Sequence, residues 1–352
     1  MVQNAKDPLS APGTQQLGLV VIGRNEGERL VRCLESVGDV AAARVYVDSG
    51  SRDDSVAIAR RAGFDVIVLS APPAFTAARA RNAGIARLLA EHPELAFVQV
   101  VDGDCELRAR WLQTALATLQ AAGDLAAVFG RRRERYPERS LYNAICDDEW
   151  NAPVGVASGF GGDVMCRIAA LRQVDFYNAS MIAGEDTELA MRLRKAGWRI
   201  RCLDAEMTLH DADIRRFSQW WSRARRAGHG YAQMAALHPD ARDPNWSRSV
   251  RSIVLWGGVA PLTCLAAAIG ALSIDPRLWA LVAAVPAAWL FNVLRLVRHQ
   301  RRRGLDARVA RGAALLLMVG KLPQVLGVAG YYRDRLLGRT SRLIEYKGAQ
   351  SA

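Results

Sequence analysis

The stretch Val98-Gln99-Val100-Val101-Asp102-Gly103-Asp104 decides how this chain is read. β-favouring and apolar residues run straight into two carboxylates one residue apart. In an open α/β sheet, ligands collect beyond the carboxyl ends of strands. Two acids placed there can hold a hard divalent cation through oxygen. One carboxylate would face a ribose and the other Mg²⁺ or Mn²⁺, and such a metal can bridge two phosphates and stabilise a leaving diphosphate. A plain strand-ending turn is the competing account of the same triplet, and the position directly after a buried-looking strand favours the ligand reading.

The segments on either side supply the sheet. Leu17–Ile22, Arg44–Asp48, Asp65–Leu69, Ala96–Val101 and Ala126–Phe129 read as strands. Helical stretches alternate with them, one from about Ser55 to Gly63 and another from Thr76 to Glu91. This alternation predicts βαβ units and a mostly parallel, doubly wound α/β sheet. A further helix is expected from Gly184 to Gly197, with acids in its first turn and Lys195 in its last. Residues 215–236 read as a helix rich in Arg and Trp. The polar residues 1–16 are expected to form a loose arm, and 17–250 the catalytic domain.

The composition changes beyond 250. Ser252 to Ile274 holds no charged residue in 23 positions, and Leu278 to Leu294 none in 17. Crossing a bilayer takes about 20 residues, so 251–298 is expected to be a transmembrane hairpin turning at Asp275-Pro276-Arg277. The chain carries a net charge of +12, and Arg298 to Lys347 alone holds twelve Lys/Arg against three Asp/Glu. Basic residues beside apolar segments favour anionic lipid, and no nucleic-acid motif accompanies them. The positive-inside rule then places the catalytic domain and the loop after the hairpin in the cytoplasm, at the inner (plasma) membrane. Within 299–352 the apolar run Gly312–Tyr332 is interrupted by Lys321 and Pro323, and is expected to be re-entrant or interfacial. The six cysteines form no CxxC pair and have no His at ligand spacing. Their spacing therefore predicts neither a zinc site nor a disulfide framework, and fits reduced thiols.

Other motifs carry candidate chemistry, each with a plainer alternative. Asn25-Glu26 follows the first strand. Asp48-Ser49-Gly50-Ser51-Arg52-Asp53-Asp54-Ser55 follows the second, where Asp48 either meets a base or ribose or simply opens the turn. Arg79 and Arg81 open a helix, and either can reach a phosphate with a planar fork or lie on a solvated face. The loop Gly159-Phe160-Gly161-Gly162-Asp163 lets backbone approach a ligand, or serves as a connector. Glu185-Asp186 begins a helix, with Asp186 either a general base for an attacking hydroxyl or a helix-end acid. His210 is a candidate metal ligand or phosphate contact, or a structural histidine.

Taken in order, these pieces resemble glycosyltransferase family 2 with the GT-A fold over about Leu17 to His210: Asn-Glu after strand one, Asp-Ser-Gly-Ser-x-Asp-Asp after strand two, DxD after strand four, a Gly-Gly loop, then Glu-Asp. The resemblance implies a Rossmann-like sheet with flanking helices and C-terminal membrane helices. It implies an inverting transferase using a nucleotide-diphosphate sugar and a divalent metal. By position, Asp48 would contact the base, Asp102 the ribose, Asp104 the metal and Asp186 the acceptor proton, with Gly161 and Gly162 near the acceptor. Ser49 stands where the family often has a second Asp. Phe217 to Arg226 is similar to the Gln-x-x-Arg-Trp signature of processive synthases in composition only. Gln219 and Trp220 are taken as acceptor-lining candidates, and processive synthesis is not expected. Membrane attachment suggests a lipid-linked saccharide acceptor in envelope or exopolysaccharide assembly. The rival readings are a sugar nucleotidyltransferase, against which the acidic Gly23–Glu28 loop speaks, and a non-catalytic membrane scaffold.

Overall fold

The computed structural model describes residues 16–38, 41–242 and 245–339. The chain divides into two compact units that interleave in sequence. The first comprises residues up to 135, 146–181 and 185–212; the second comprises 136–145, 182–184 and 213 onward. Positions 1–15 and 340–352, which take in nearly all of the expected N-terminal arm and the end of the basic tail, lie outside the described residues.

The first unit is built on one sheet. Its strands are β1 (Leu17–Gly23), β2 (Ala43–Asp48), β3 (Asp65–Val68), β4 (Phe97–Asp102), β5 (Cys105–Leu107), β6 (Leu125–Glu134), β7 (Gly155–Val156), β8 (Val164–Arg167) and β9 (Arg199–His210). They run in the order β3-β2-β1-β4-β8-β6-β9-β5, with β7 on β9. The first four are mutually parallel. β1 and β4 are mostly apolar because both faces are covered: Leu19, Val20, Val21, Val98, Val100 and Val101 are fully buried, and the buried Gln99 of β4 accepts the Trp111 indole N–H. The expected parallel order holds through β4. Beyond it the sheet is mixed, since β8 is antiparallel to β4 and β6, β9 is parallel to β6, and β5 and β7 are antiparallel to β9.

The helices follow the predicted alternation: α1 (Glu28–Val37), α2 (Ser55–Arg61), α3 (Ala77–Glu91), α4 (Trp111–Ala121), α5 (Leu141–Glu149), α6 (Ile168–Gln173) and α7 (Glu185–Lys195). α3 starts where Thr76 Oγ1 accepts the Arg79 amide at 3.1 Å. It lies tight against the sheet at Gly84, where a Cβ would stand 2.5 Å from Val20 Cγ1. Ile22 on β1 pairs with Asp102 on β4. The acidic triplet therefore emerges at the carboxyl edge of the central strands.

The second unit is helical: α8 (Phe217–Leu237), α9 (Trp246–Val254), α10 (Ala260–Ser273), α11 (Trp279–Arg302), α12 (Ala307–Val319) and α13 (Lys321–Leu336). A wide five-residue π turn, Leu255–Val259, joins α9 to α10. α8 and α13 touch backbone to backbone, because a Cβ on Gly228 would fall on Gln324 and one on Gly327 on Arg225. Three helical segments are long and apolar enough to cross a membrane: Trp246–Ser273, Pro276–Arg302 and Ala307–Leu336. Leu262, Leu265, Ile269, Leu272 and Phe291 are all exposed on them. The third segment changes helix at Gly320, between α12 and α13.

Candidate active site

The loops after β1 and β2 are sewn together. Asn25 donates its amide to Ser51 Oγ at 2.9 Å and accepts the Arg52 amide on Oδ1 at 2.7 Å. Gly27 N–H reaches Asp53 Oδ2 at 3.1 Å, and Glu26 pairs with Arg29 at 3.0 Å. Asp48 is 1% exposed. Its Oδ1 accepts the Tyr46 and Ser51 hydroxyls, and its Oδ2 accepts the Gly50 and Ser51 amides. Its carboxylate is thus saturated by its own turn. The geometry gives Asp48 a turn-building role.

Arg79 and Arg81 point to different sides of α3, as two residues at 3.6 per turn must. Arg79 donates to the Pro73 and Ser70 carbonyls at 2.6 and 2.9 Å. It pins the preceding loop. Arg81 is turned inward and is 1% exposed. Its guanidinium donates to Glu185 Oε1 at 2.7 Å, Asp186 Oδ1 at 2.9 Å and Asp102 Oδ1 at 2.9 Å. Burial alone would lower its pKa, but Asp186, Asp102 and Glu185 outweigh that and raise it.

Asp102 is held from its other side by residues the sequence did not single out for chemistry. Arg132 Nη2 reaches Asp102 Oδ2 at 3.2 Å and Asp163 Oδ2 at 2.8 Å. Asp163 also accepts the Thr208 hydroxyl at 2.7 Å and the Asp102 amide at 3.0 Å. Burial pushes the Asp102 carboxyl up, but Arg81 and Arg132 prevail and hold it below the usual carboxylate range. Gly162 lets the following loop pass over this pair, since a Cβ there would fall on Asp102 Oδ2 and within 2.8 Å of Arg81 Nη2. Gly161 has open space around its would-be Cβ. Gly162→Ala is expected to cost about 1–3 kcal/mol through overpacking and to weaken donor binding by displacing Asp102, whereas Gly161→Ala should do neither. Chemical denaturation and donor titration of the two variants check this.

Asp104 and His210 form the second half of the site. His210 Nε2 lies 3.1 Å from Asp104 Oδ2, and both residues are buried. The far ring nitrogen faces Glu134 Oε2 at 3.8 Å, and the Trp150 ring meets the imidazole edge-on at 4.5 Å between centroids. Burial would lower the His210 pKa, but the Asp104 charge and hydrogen bond raise it. The Asp104–His210 separation suits two neighbouring ligands of one octahedral ion, which stand about 3 Å apart when each bond is about 2.1 Å. Asp102, Asp163, Glu185 and Asp186 pair with Arg81 or Arg132, while Asp104 and Glu134 face His210. The Cys105 thiol, beside them, is pushed well up by burial.

Asp186 stands at the start of α7 and is joined through Arg81 to Asp102. Burial, with Glu185 and Asp102 adding and Arg81 opposing, lifts its carboxyl to about 8. That value suits a general base working near neutral pH. Asp102, Arg81, Glu185 and Asp186 therefore share one contiguous network. Gln219 and Trp220 lie in the second unit and are occupied there. The Gln219 side chain accepts the Arg215 and Arg216 amides at 3.0 and 2.9 Å, capping α8. Trp220 is buried against Tyr142 and Phe217.

Known proteins resemble this chain in sequence and fold. The mannosyltransferase PcManGT from Pyrobaculum calidifontis, solved with GDP-Man and Mn²⁺, superposes with a TM-score of 0.59 over 91% of this chain and 88% of its own, at 17% identity. This is a likeness of fold, the GT-A arrangement of a mixed sheet with flanking helices. The pre-mycofactocin glycosyltransferases of Mycobacterium tuberculosis strains CDC 1551 / Oshkosh and ATCC 25618 / H37Rv are each 29% identical over 254 residues, which is 67% of this chain and 51% of the relative. The chain spans about half the length of these curated relatives. Residues 19–159 match the family described as Glycosyl transferase family 2, and residues 140–294 the Glycosyl transferase family group 2. Together the two matches run without a break from 19 to 294, and over that stretch the chain is similar to family 2 glycosyltransferases.

Proposed function

We propose that this protein transfers a sugar from a nucleotide-diphosphate sugar to an acceptor hydroxyl, with inversion at the anomeric carbon. The observation that carries the reading is the bridge made by Arg81. It ties the carboxylate at the end of β4 to Asp186, next to the Asp104–His210 pair. Asp186 takes the proton of the acceptor hydroxyl. The hydroxyl oxygen attacks the anomeric carbon, and the bond to the diphosphate oxygen breaks on the opposite face. Asp102, fixed between Arg81 and Arg132, orients the donor ribose. Asp104 and His210 would hold Mg²⁺ or Mn²⁺, which supplies positive charge to the departing diphosphate. The GDP-Man and Mn²⁺ bound by PcManGT support this donor class and metal requirement.

The acceptor follows from the second unit. Three segments long and apolar enough to span a bilayer support a membrane enzyme acting on a lipid-linked saccharide. The surplus of basic residues after Leu294 supports a cytoplasmic catalytic unit at the inner membrane. In this reading the segment holding α12 and α13 is re-entrant or interfacial, its apolar run being interrupted by Lys321 and Pro323. A reporter fused to the C-terminus that works only on the far side of the membrane overturns that placement.

The test is a panel of nucleotide sugars with full-length protein, Mn²⁺ and membrane lipid extract, scored for nucleoside-diphosphate release. Chelation should abolish release and added Mn²⁺ restore it. Asp104→Asn should lower turnover on the order of 10²-fold or more through lost metal affinity. Release of pyrophosphate instead would point to nucleotidyl transfer, and metal-independent turnover would remove the role given to Asp104 and His210.

A further inference from the structure

Cys105 heads β5, which runs antiparallel to β9 with Cys105 directly opposite His210. Residues so paired project on one face with Cβ atoms about 4.5–5.5 Å apart. The Cys105 sulfur, an Asp104 carboxylate oxygen and a His210 ring nitrogen all lie within 4.8 Å of one another, on three buried residues. The thiol is already aimed at the carboxylate, donating to Asp104 Oδ1 at 3.6 Å. Cys105 also groups with Asp102 and Asp163. There, however, the Arg132 guanidinium already pairs with both acids and supplies the cation.

We propose that the Asp104–Cys105–His210 centre takes a thiophilic dication, Zn²⁺ or Cd²⁺, through the Cys105 sulfur, in competition with the hard ion of the transfer reaction. The inference rests on the assignment of Asp104 and His210 as metal ligands in the proposed function. A mixed sulfur, nitrogen and oxygen donor set favours zinc over manganese in the ordinary affinity order, and soft thiolate strengthens that preference. Tetrahedral zinc separates its ligand atoms by about 3.3–3.5 Å. The Asp104–His210 pair at 3.1 Å is close to that spacing, and the sulfur would close by up to about 1 Å to join a zinc ion. Binding breaks the Cys105 S–H bond and, where His210 is charged, its Nε2–H bond; sulfur–metal and nitrogen–metal bonds form and those protons go to solvent, with no electron transferred. The fourth position stays open to water or a phosphate oxygen.

Titrating the full-length protein with Cd²⁺ tests this through the ultraviolet thiolate-to-cadmium charge-transfer band. A band that saturates at one equivalent and is displaced by Zn²⁺ is expected. Cys105→Ser should remove the band and weaken Cd²⁺ affinity about 10–100-fold, while Mn²⁺ affinity, read by electron paramagnetic resonance, changes little. A band that survives in Cys105→Ser places the ion on another cysteine and overturns the proposal. Zinc-edge X-ray absorption on the wild type is independent of how the variant folds: one sulfur in the zinc shell supports the proposal, and a shell of nitrogen and oxygen alone overturns it. Mn²⁺ binding without a cadmium band overturns this inference only. Failure of both ions to bind overturns the metal assignment to Asp104 and His210 as well.

Discussion

Asp186→Asn is expected to lower turnover by roughly 10²–10⁴-fold, the usual contribution of a general base, while the protein still binds its donor. The asparagine keeps the shape of the side chain and can still accept from Arg81, so the loss isolates proton transfer. The same substitution should stabilise the fold. The Asp186 carboxyl sits at about 8 in the folded protein, above its value in an unfolded chain. Its contribution to stability is therefore fully present in acid and is lost as pH rises toward that value. An amide, neutral at every pH, escapes the loss. The variant should match wild type near pH 4 and exceed it at pH 8, by about 1 kcal/mol or roughly 2–4 °C in Tm. In the wild type, activity should climb with pH through this range as the base sheds its proton. Normal turnover in Asp186→Asn would remove the base assignment, and equal stability of the two proteins at pH 8 would contradict the raised carboxyl.

Arg81→Met should give the largest stability loss of any single change in the cleft, about 3–5 kcal/mol, because it strands charges that a buried guanidinium now satisfies. Asp102, Glu185 and Asp186 each lose a hydrogen bond of 2.7–2.9 Å. The sign of the pH dependence follows from Asp102. Its carboxyl is held below its ordinary range by Arg81 and Arg132, so the stability it brings is present at neutral pH and lost in acid. The deficit in Arg81→Met should be greatest at pH 7–8 and shrink toward pH 5 as the orphaned carboxyls take up protons. Urea unfolding at the two pH values reads it directly. The same deficit at both would mean that Arg81 acts by packing rather than by charge.

The parts of this protein that were legible in sequence are those where neighbours along the chain carry the signal. β1 and β4 announce themselves as largely apolar, β-favouring runs, and Asp102 and Asp104 sit at the end of one of them. Glu185 and Asp186 follow Gly184 and open a helix whose acids and bases are sorted by end. What stayed hidden depends on distant register. Arg131, Arg132 and Arg133 are indistinguishable in a row. Strand alternation then sends Arg131 and Arg133 to Asp147 and only Arg132 to Asp163 and Asp102. Asp163 looked like the end of a flexible loop, yet it anchors Arg132. Cysteine spacing argued against any thiol–histidine site, because the pairing of Cys105 with His210 arises between strands far apart in sequence. Arg79, Asp48 and Gln219 hold loops and a helix end, roles that polar side chains near a site often take and that sequence does not separate from ligand contact.

The interleaving of the two units has a practical consequence for anyone wishing to excise a soluble enzyme. Cutting after Ala212 leaves residues 136–145 and 182–184 attached while removing what they bind. The Ser140 hydroxyl donates to the Ile214 carbonyl at 2.6 Å, and the Asn143 side chain accepts the Ile214 amide at 3.1 Å. The Ile182 carbonyl accepts from Arg226 at 3.1 Å. A truncated product would carry these two short stretches stripped of their partners, one of them directly before Glu185 and Asp186. Low solubility or inactivity of such a fragment would then reflect where the scissors fell, not a defect in the catalytic residues.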